Sequence, residues 1–178
     1  MTEQVELVSP TAARMRKRRG APRWNGLSGL LVLSDSMLNV NAGWGKLILD
    51  SVVAALPAEG VTLDQIRRPQ IGDHRPQEWI DHLVEQGISA LVVTAGDCAT
   101  CTSRALRECI LAEQSGIPAT AVVPIGLSEI IEATLTAWGR PDLRVATFDA
   151  PLFSLKQNDF PDVMQAAAQE AIAILTGS

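Results

Sequence analysis

Two cysteines three residues apart, Cys98 and Cys101, stand in the run Gly96-Asp97-Cys98-Ala99-Thr100-Cys101-Thr102-Ser103. The run follows an apolar stretch, Ile88 to Thr94, and leads into a stretch of helical period, Thr102 to Glu113. This order predicts a dithiol at the carboxyl end of a parallel strand and in the first turn of the next helix. Helix N-termini expose unpaired N–H groups and a partial positive charge, so a thiolate there is favoured over its neutral form. Cys98, the outer sulfur, is the expected nucleophile, and Cys101 the resolving thiol. Their separation across a helix start brings the sulfurs within bonding reach, so an adduct formed on Cys98 can be released by attack from Cys101.

The neighbours modify this expectation. Asp97 stands directly before the nucleophile, where a carboxylate raises a thiol pKa and opposes the helix terminus. It can instead act as acid or base toward a leaving group, or cap its own turn. Thr100, Thr102 and Ser103 can cap the helix, and their hydroxyls could also donate to a substrate oxygen or to the thiolate. The plain structural alternative is a pair of thiols packed at a strand end. A metal ion on Cys98 and Cys101 is a further alternative, but zinc needs two more ligands. The only histidines, His74 and His82, lie near the second helix, and there is no second C-x-x-C. Cys109 shares helical spacing with Leu106 and Ile110 and reads as a core thiol.

Elements that alternate between strand and helix must position these residues. Apolar runs of strand length occur at Gly29 to Leu33, Val61 to Ile66, Ala90 to Val93, Ala119 to Val123 and Leu143 to Phe148. Between them lie stripes of helical spacing: Trp44, Leu47, Ile48 and Val52; Trp79, Ile80, Leu83 and Val84; Leu127, Ile130, Ile131, Leu135 and Trp138. Gly116 and Gly139, each followed by a proline (Pro118, Pro141), mark helix ends, and Pro161 to Leu175 reads as a closing helix. The pattern predicts an α/β fold: a single-domain, doubly wound, mainly parallel five-stranded sheet in the flavodoxin-like order 2-1-3-4-5, with helices on both faces. Ligands of such sheets bind beyond the carboxyl ends of the strands. The expected substrate-binding residues there are Asp35, Ser36, Asn39, Asn41, Arg67, Thr94, Thr102 and Ser103, with Arg68, Pro124 to Gly126 and Asp149 on the same rim. Arg67 or Arg68 could anchor a carboxylate or phosphate.

A chain of 178 residues fits one domain and buries about 70% of its unfolded surface, so no disulfide is needed to hold it. Three cysteines, no signal segment and no apolar run near 18 residues point to a cytoplasmic, reducing setting and no membrane partner. The net charge of -5 and the absence of tyrosine disfavour nucleic-acid binding. Residues 1–26 read as a basic arm carrying Arg14, Arg16, Lys17, Arg18, Arg19 and Arg23, and residues 27–178 as the α/β domain. No G-x-G-x-x-G, Walker or G-x-S-x-G motif is present, so no cofactor is evident.

The run Val92 to Ser103, followed by Gly116-Ile117-Pro118 and Arg140-Pro141-Asp142-Leu143-Arg144, resembles the UGSC-motif (seleno)protein family. The likeness extends upstream through Leu27-Ser28-Gly29, the Asp35 to Asn41 loop and Arg67-Arg68-Pro69, covering about residues 24 to 155. Cys98 holds the position of the selenocysteine, and Ala99-Thr100 stand for Gly-Ser. The resemblance implies thiol or selenol redox chemistry. The combined expectation is a thiol-dependent redox enzyme acting on a small, anionic molecule, with Cys98, Cys101 and Asp97 catalytic, an external dithiol as reductant, and a homodimer as the default assembly. The rivals are a non-redox enzyme with a cysteine nucleophile (lyase, hydrolase or racemase-like) and a metal-binding or interaction subunit.

Overall fold

The computed structural model describes residues 21–25, 27, 29, 31–35, 42–59, 61, 75–149 and 159–178. Its elements run β1 (Leu31–Asp35), α1 (Ala42–Ala55), α2 (Pro76–Glu85), β2 (Ala90–Thr94), α3 (Ala99–Gln114), β3 (Ala119–Pro124), α4 (Ser128–Ala137), β4 (Ala146–Phe148) and α5 (Phe160–Thr176). The four strands form one parallel sheet in the order β1-β2-β3-β4. Its register pairs Asp35 with Thr94, Thr94 with Val122 and Pro124 with Phe148. This is the expected flavodoxin-like α/β architecture, with four strands among the described residues where five are expected. The fifth expected strand, Val61 to Ile66, lies outside the described residues except for buried Val61.

Strand side chains alternate between faces, and here both faces are covered. Leu31, Leu33, Ala90, Val92, Val122, Ala146 and Phe148 pack in one core cluster with residues of α1 and α5. Val32, Leu91, Val93, Ala121 and Val123 pack in the other with residues of α2, α3 and α4. That double burial is why the strands read as near-continuous apolar runs rather than alternating ones. The helix after β1 lies on one face and the helix before β2 on the other. The winding therefore reverses between these two strands, and a crevice belongs at their carboxyl ends.

The helix ends follow local chemistry. Gly116 and Gly139 take φ of 89° and 65°, as C′ glycines do. The N–H groups of Ile117 and Arg140 then reach back to the carbonyls of Ala112 and Leu135 at 3.0 and 2.8 Å. Two expected stripes are only partly buried. Val84 is 46% exposed at the margin of α2. In α4 only Leu135 is fully buried, because the main neighbour of that helix is α3 rather than the sheet. Trp24, expected in the arm, is 3% exposed, packs in the α1/α5 core and donates its N–H to the Leu175 carbonyl at 2.8 Å. Residues 1–20 and 26 of the basic arm lie outside the described residues. Among the described residues no helix is long and apolar enough to cross a membrane.

The lower end of α3 is held by charge. Arg140 pairs with the Glu113 carboxylate and also donates from Nε to Asp142 at 3.3 Å. Burial pushes the Glu113 carboxyl above its usual range, although Arg140 pulls it down. Removing one partner of a buried pair strands the other. Arg140→Ala should lower the free energy of unfolding by about 3 kcal/mol in urea titrations, and adding Glu113→Gln should restore most of that loss.

Candidate active site at the carboxyl rim

Strand β2 does not stop its hydrogen bonding at Thr94. The Ala95 N–H donates to the Val122 carbonyl at 3.1 Å, which ties the start of the next turn to β3. The chain then turns at Gly96, whose carbonyl accepts the Cys98 N–H at 2.6 Å. Cys98 has extended backbone angles (φ -142°, ψ 110°) and is the N-cap of α3. Its carbonyl takes the first intrahelical bond, from Thr102 N–H at 2.9 Å. Its sulfur accepts the Cys101 N–H at 3.2 Å. The helix is therefore capped by the candidate nucleophile itself, and not by Thr100, Thr102 or Ser103. Hydroxyls and carboxylates are the preferred N-cap groups, so residue type alone points to the threonines and the serine. The usable signal was the three-residue spacing, since an N-cap side chain bonds to the N–H of the third helical residue.

Cys98 and Cys101 form a disulfide, their Cα atoms 5.2 Å apart. Cys98 is half-buried, whereas Cys101 is 1% exposed and belongs to the core beneath the turn. An incoming group therefore meets the Cys98 sulfur first. Cys109, further along the same helix, is fully buried; burial, with the nearby Glu108 and Glu113 carboxylates, pushes its thiol well above the usual range. Three cysteines thus divide into an accessible bridged sulfur, a buried bridged sulfur and an inert core thiol.

The other expected site residues divide as sharply. Asp97 is half-buried next to Cys98. Thr94 and Thr102, expected to touch substrate, are 0% exposed: one points from a strand covered on both faces, the other from the inward side of α3. Ser103 is half-buried, and its hydroxyl bonds to the Thr134 hydroxyl at 3.1 Å, joining α3 to α4. Asp35 ends β1 opposite Thr94. Ser36, Asn39, Asn41, Arg67 and Arg68 lie outside the described residues. On the neighbouring strand end, Ile125 is 43% exposed, and a Cβ added to Gly126 would meet nothing within 4 Å. Among the described residues no cluster of three or more His, Cys, Asp or Glu is placed to hold a metal.

A parallel α/β sheet with helices on both faces defines the class: a flavodoxin-like fold, here with a bridged cysteine pair at the start of the helix beyond an inner strand. The UGSC family model matches residues 6–177, and the chain belongs to that family. No curated protein matches the chain. Among solved structures, the apo form of an NADH:FMN oxidoreductase matches at TM-score 0.52 and 14% identity, over 85% of this chain and 92% of that one. A flavone reductase matches at TM-score 0.45 and 11% identity, over 82% and 62%. The flavodoxin-like domain of a Synechococcus sp. protein matches at 0.43 and 12%, over 84% and 99%. The first of these corrects the expectation that no cofactor is evident beyond an external dithiol or a metal: the matching fold is that of an FMN oxidoreductase.

The burial difference gives a direct chemical test. After brief reduction of the native protein, iodoacetamide should label Cys98 at least tenfold faster than Cys101 or Cys109, read by peptide mass spectrometry. Equal labelling of all three would remove the distinction.

Proposed function

We propose that this chain is an oxidoreductase that exchanges two electrons with a small molecule through Cys98 and Cys101, with a flavin as its cofactor. The observation that carries the thiol half is the bridge between a half-exposed sulfur at a helix N-terminus and a buried partner. In the reduced protein the Cys98 thiolate attacks a sulfur of a substrate disulfide. A bond forms from Cys98 to that sulfur, the substrate S–S bond breaks, and the second substrate sulfur leaves as a thiolate. Cys101 loses its proton and attacks Cys98, which closes the bridge and releases the remaining substrate thiolate. The protein gives up two electrons and the substrate gains them. Asp97, beside Cys98 in sequence, is the group proposed to take or return the proton.

Reopening the bridge needs a two-electron donor, and a flavin supplies that chemistry when bound. The described rim suits a flavin ring better than its phosphate. Ile125 offers apolar surface and Gly126 leaves open space. The charges on the described rim are Asp97 and Asp149, with no Lys or Arg among residues 95–100, 125–127 and 149. A phosphate therefore has no cationic partner among the described rim residues.

Cys98→Ser should reduce disulfide turnover to below about 1% of wild type. Cys101→Ser should instead accumulate a mixed disulfide, visible as added mass on the intact protein. Full activity in Cys98→Ser would reject the thiol half. For the cofactor half, titration of the protein into FMN should quench flavin fluorescence at micromolar protein. No quenching at about 100 μM would reject the flavin.

A further inference from the structure

The Cys98 sulfur has a second polar neighbour besides the Cys101 amide. Thr100 Oγ1 lies 3.6 Å from it, within reach of a hydrogen bond to sulfur. A disulfide sulfur has no hydrogen, so in the bridged form the Thr100 hydroxyl is the donor in this contact. The Cys101 amide is a donor in any state. Two donors from the first turn of α3 thus converge on one atom. We infer that Thr100 is a positioning residue whose hydroxyl, together with the Cys101 N–H, stabilises the Cys98 thiolate and so sets how easily the Cys98–Cys101 pair is reduced. The inference rests on the proposed role of Cys98 as the attacking sulfur.

The argument follows the charge. A sulfur in a disulfide accepts hydrogen bonds weakly; a thiolate accepts them strongly, because bonds to an ionised acceptor are about twice as strong. Donors already aimed at the sulfur in the bridged state favour the charge that appears when the bridge opens, with no rearrangement needed. Thr100 has no other assigned task. The helix is capped by Cys98, and the Thr100 side chain is exposed rather than packed in the core. The contact also works against the negative charge of Asp97 one residue before the sulfur.

The test compares wild type, Thr100→Ala and Thr100→Ser by the pH dependence of Cys98 alkylation in the reduced protein, read by peptide mass, and by equilibrium with glutathione. Wild-type Cys98 should titrate well below an ordinary cysteine. Thr100→Ala should raise that midpoint by about 0.7 pH unit, the fivefold effect of one net hydrogen bond, and leave the high-pH rate unchanged or slightly higher. Its bridge should be about fivefold harder to reduce, a fall of about 20 mV in potential. Thr100→Ser should restore both values, and denaturant midpoints should not fall in either variant. A low wild-type midpoint that Thr100→Ala leaves in place would overturn the role of Thr100 while leaving Cys98 as the nucleophile. An ordinary midpoint in the wild type, with turnover intact in Cys98→Ser, would overturn both. A drop in the high-pH rate with no shift of midpoint would mark Thr100 as a packing residue and also overturn the inference.

Discussion

The sulfur of Cys98 accepts the amide of Cys101 and so occupies the place where an oxygen caps most helices. Much follows from that substitution of sulfur for oxygen. The cap residue is held at both ends, by Gly96 on its amide and by Thr102 on its carbonyl, so the atom offered to solvent is placed by the start of a 16-residue helix and not by the loop alone. In the bridged form the two Cα atoms are 5.2 Å apart, inside the span that disulfides use. The same geometry directs the positive end of the helix at the sulfur that would carry charge.

Such a cap is only as steady as the elements on either side of it. Strand β2 pairs with β1 on one side and β3 on the other, and its five residues are all buried. The ladder runs one residue past the strand to Ala95 before the turn begins. Helix α3 is fastened along its length: Ser103 to Thr134 near the top, the Arg107 guanidinium over the Trp138 ring at 4.9 Å in the middle, and Glu113 to Arg140 at the bottom. Ser103, on the carboxyl rim by sequence position, takes part in this fastening.

Environment also explains why three residues of one type do different things. Cys98 meets solvent at a helix N-terminus, and Cys101 is covered by the core under the same turn. Cys109 sits among carboxylates and apolar side chains, where a thiolate is penalised by burial first and by like charge second. The charged groups on the described rim are carboxylates; Arg67 and Arg68 lie outside the described residues.

Much of this was legible in the chain itself. The βα alternation, the parallel sheet with helices on both faces, the C′ glycines Gly116 and Gly139, the core thiol Cys109 and the placement of Cys98 and Cys101 at a strand-to-helix turn all follow from hydrophobic period and local backbone preference, which act over a few residues. Other features depended on contacts between distant segments. Trp24 enters the core through α5, Val84 and most of the α4 stripe escape full burial because of which neighbour each helix meets, and the Ser103 hydroxyl bonds to that of Thr134. Thr94 and Thr102 are polar residues in positions that only packing closes to solvent. Sequence thus determined which elements form and which end of the sheet carries the sulfurs, because those depend on local periodicity. Tertiary structure decided which side chains near that end reach solvent and which are spent on holding α3, because burial is a property of the surrounding elements and not of the residue.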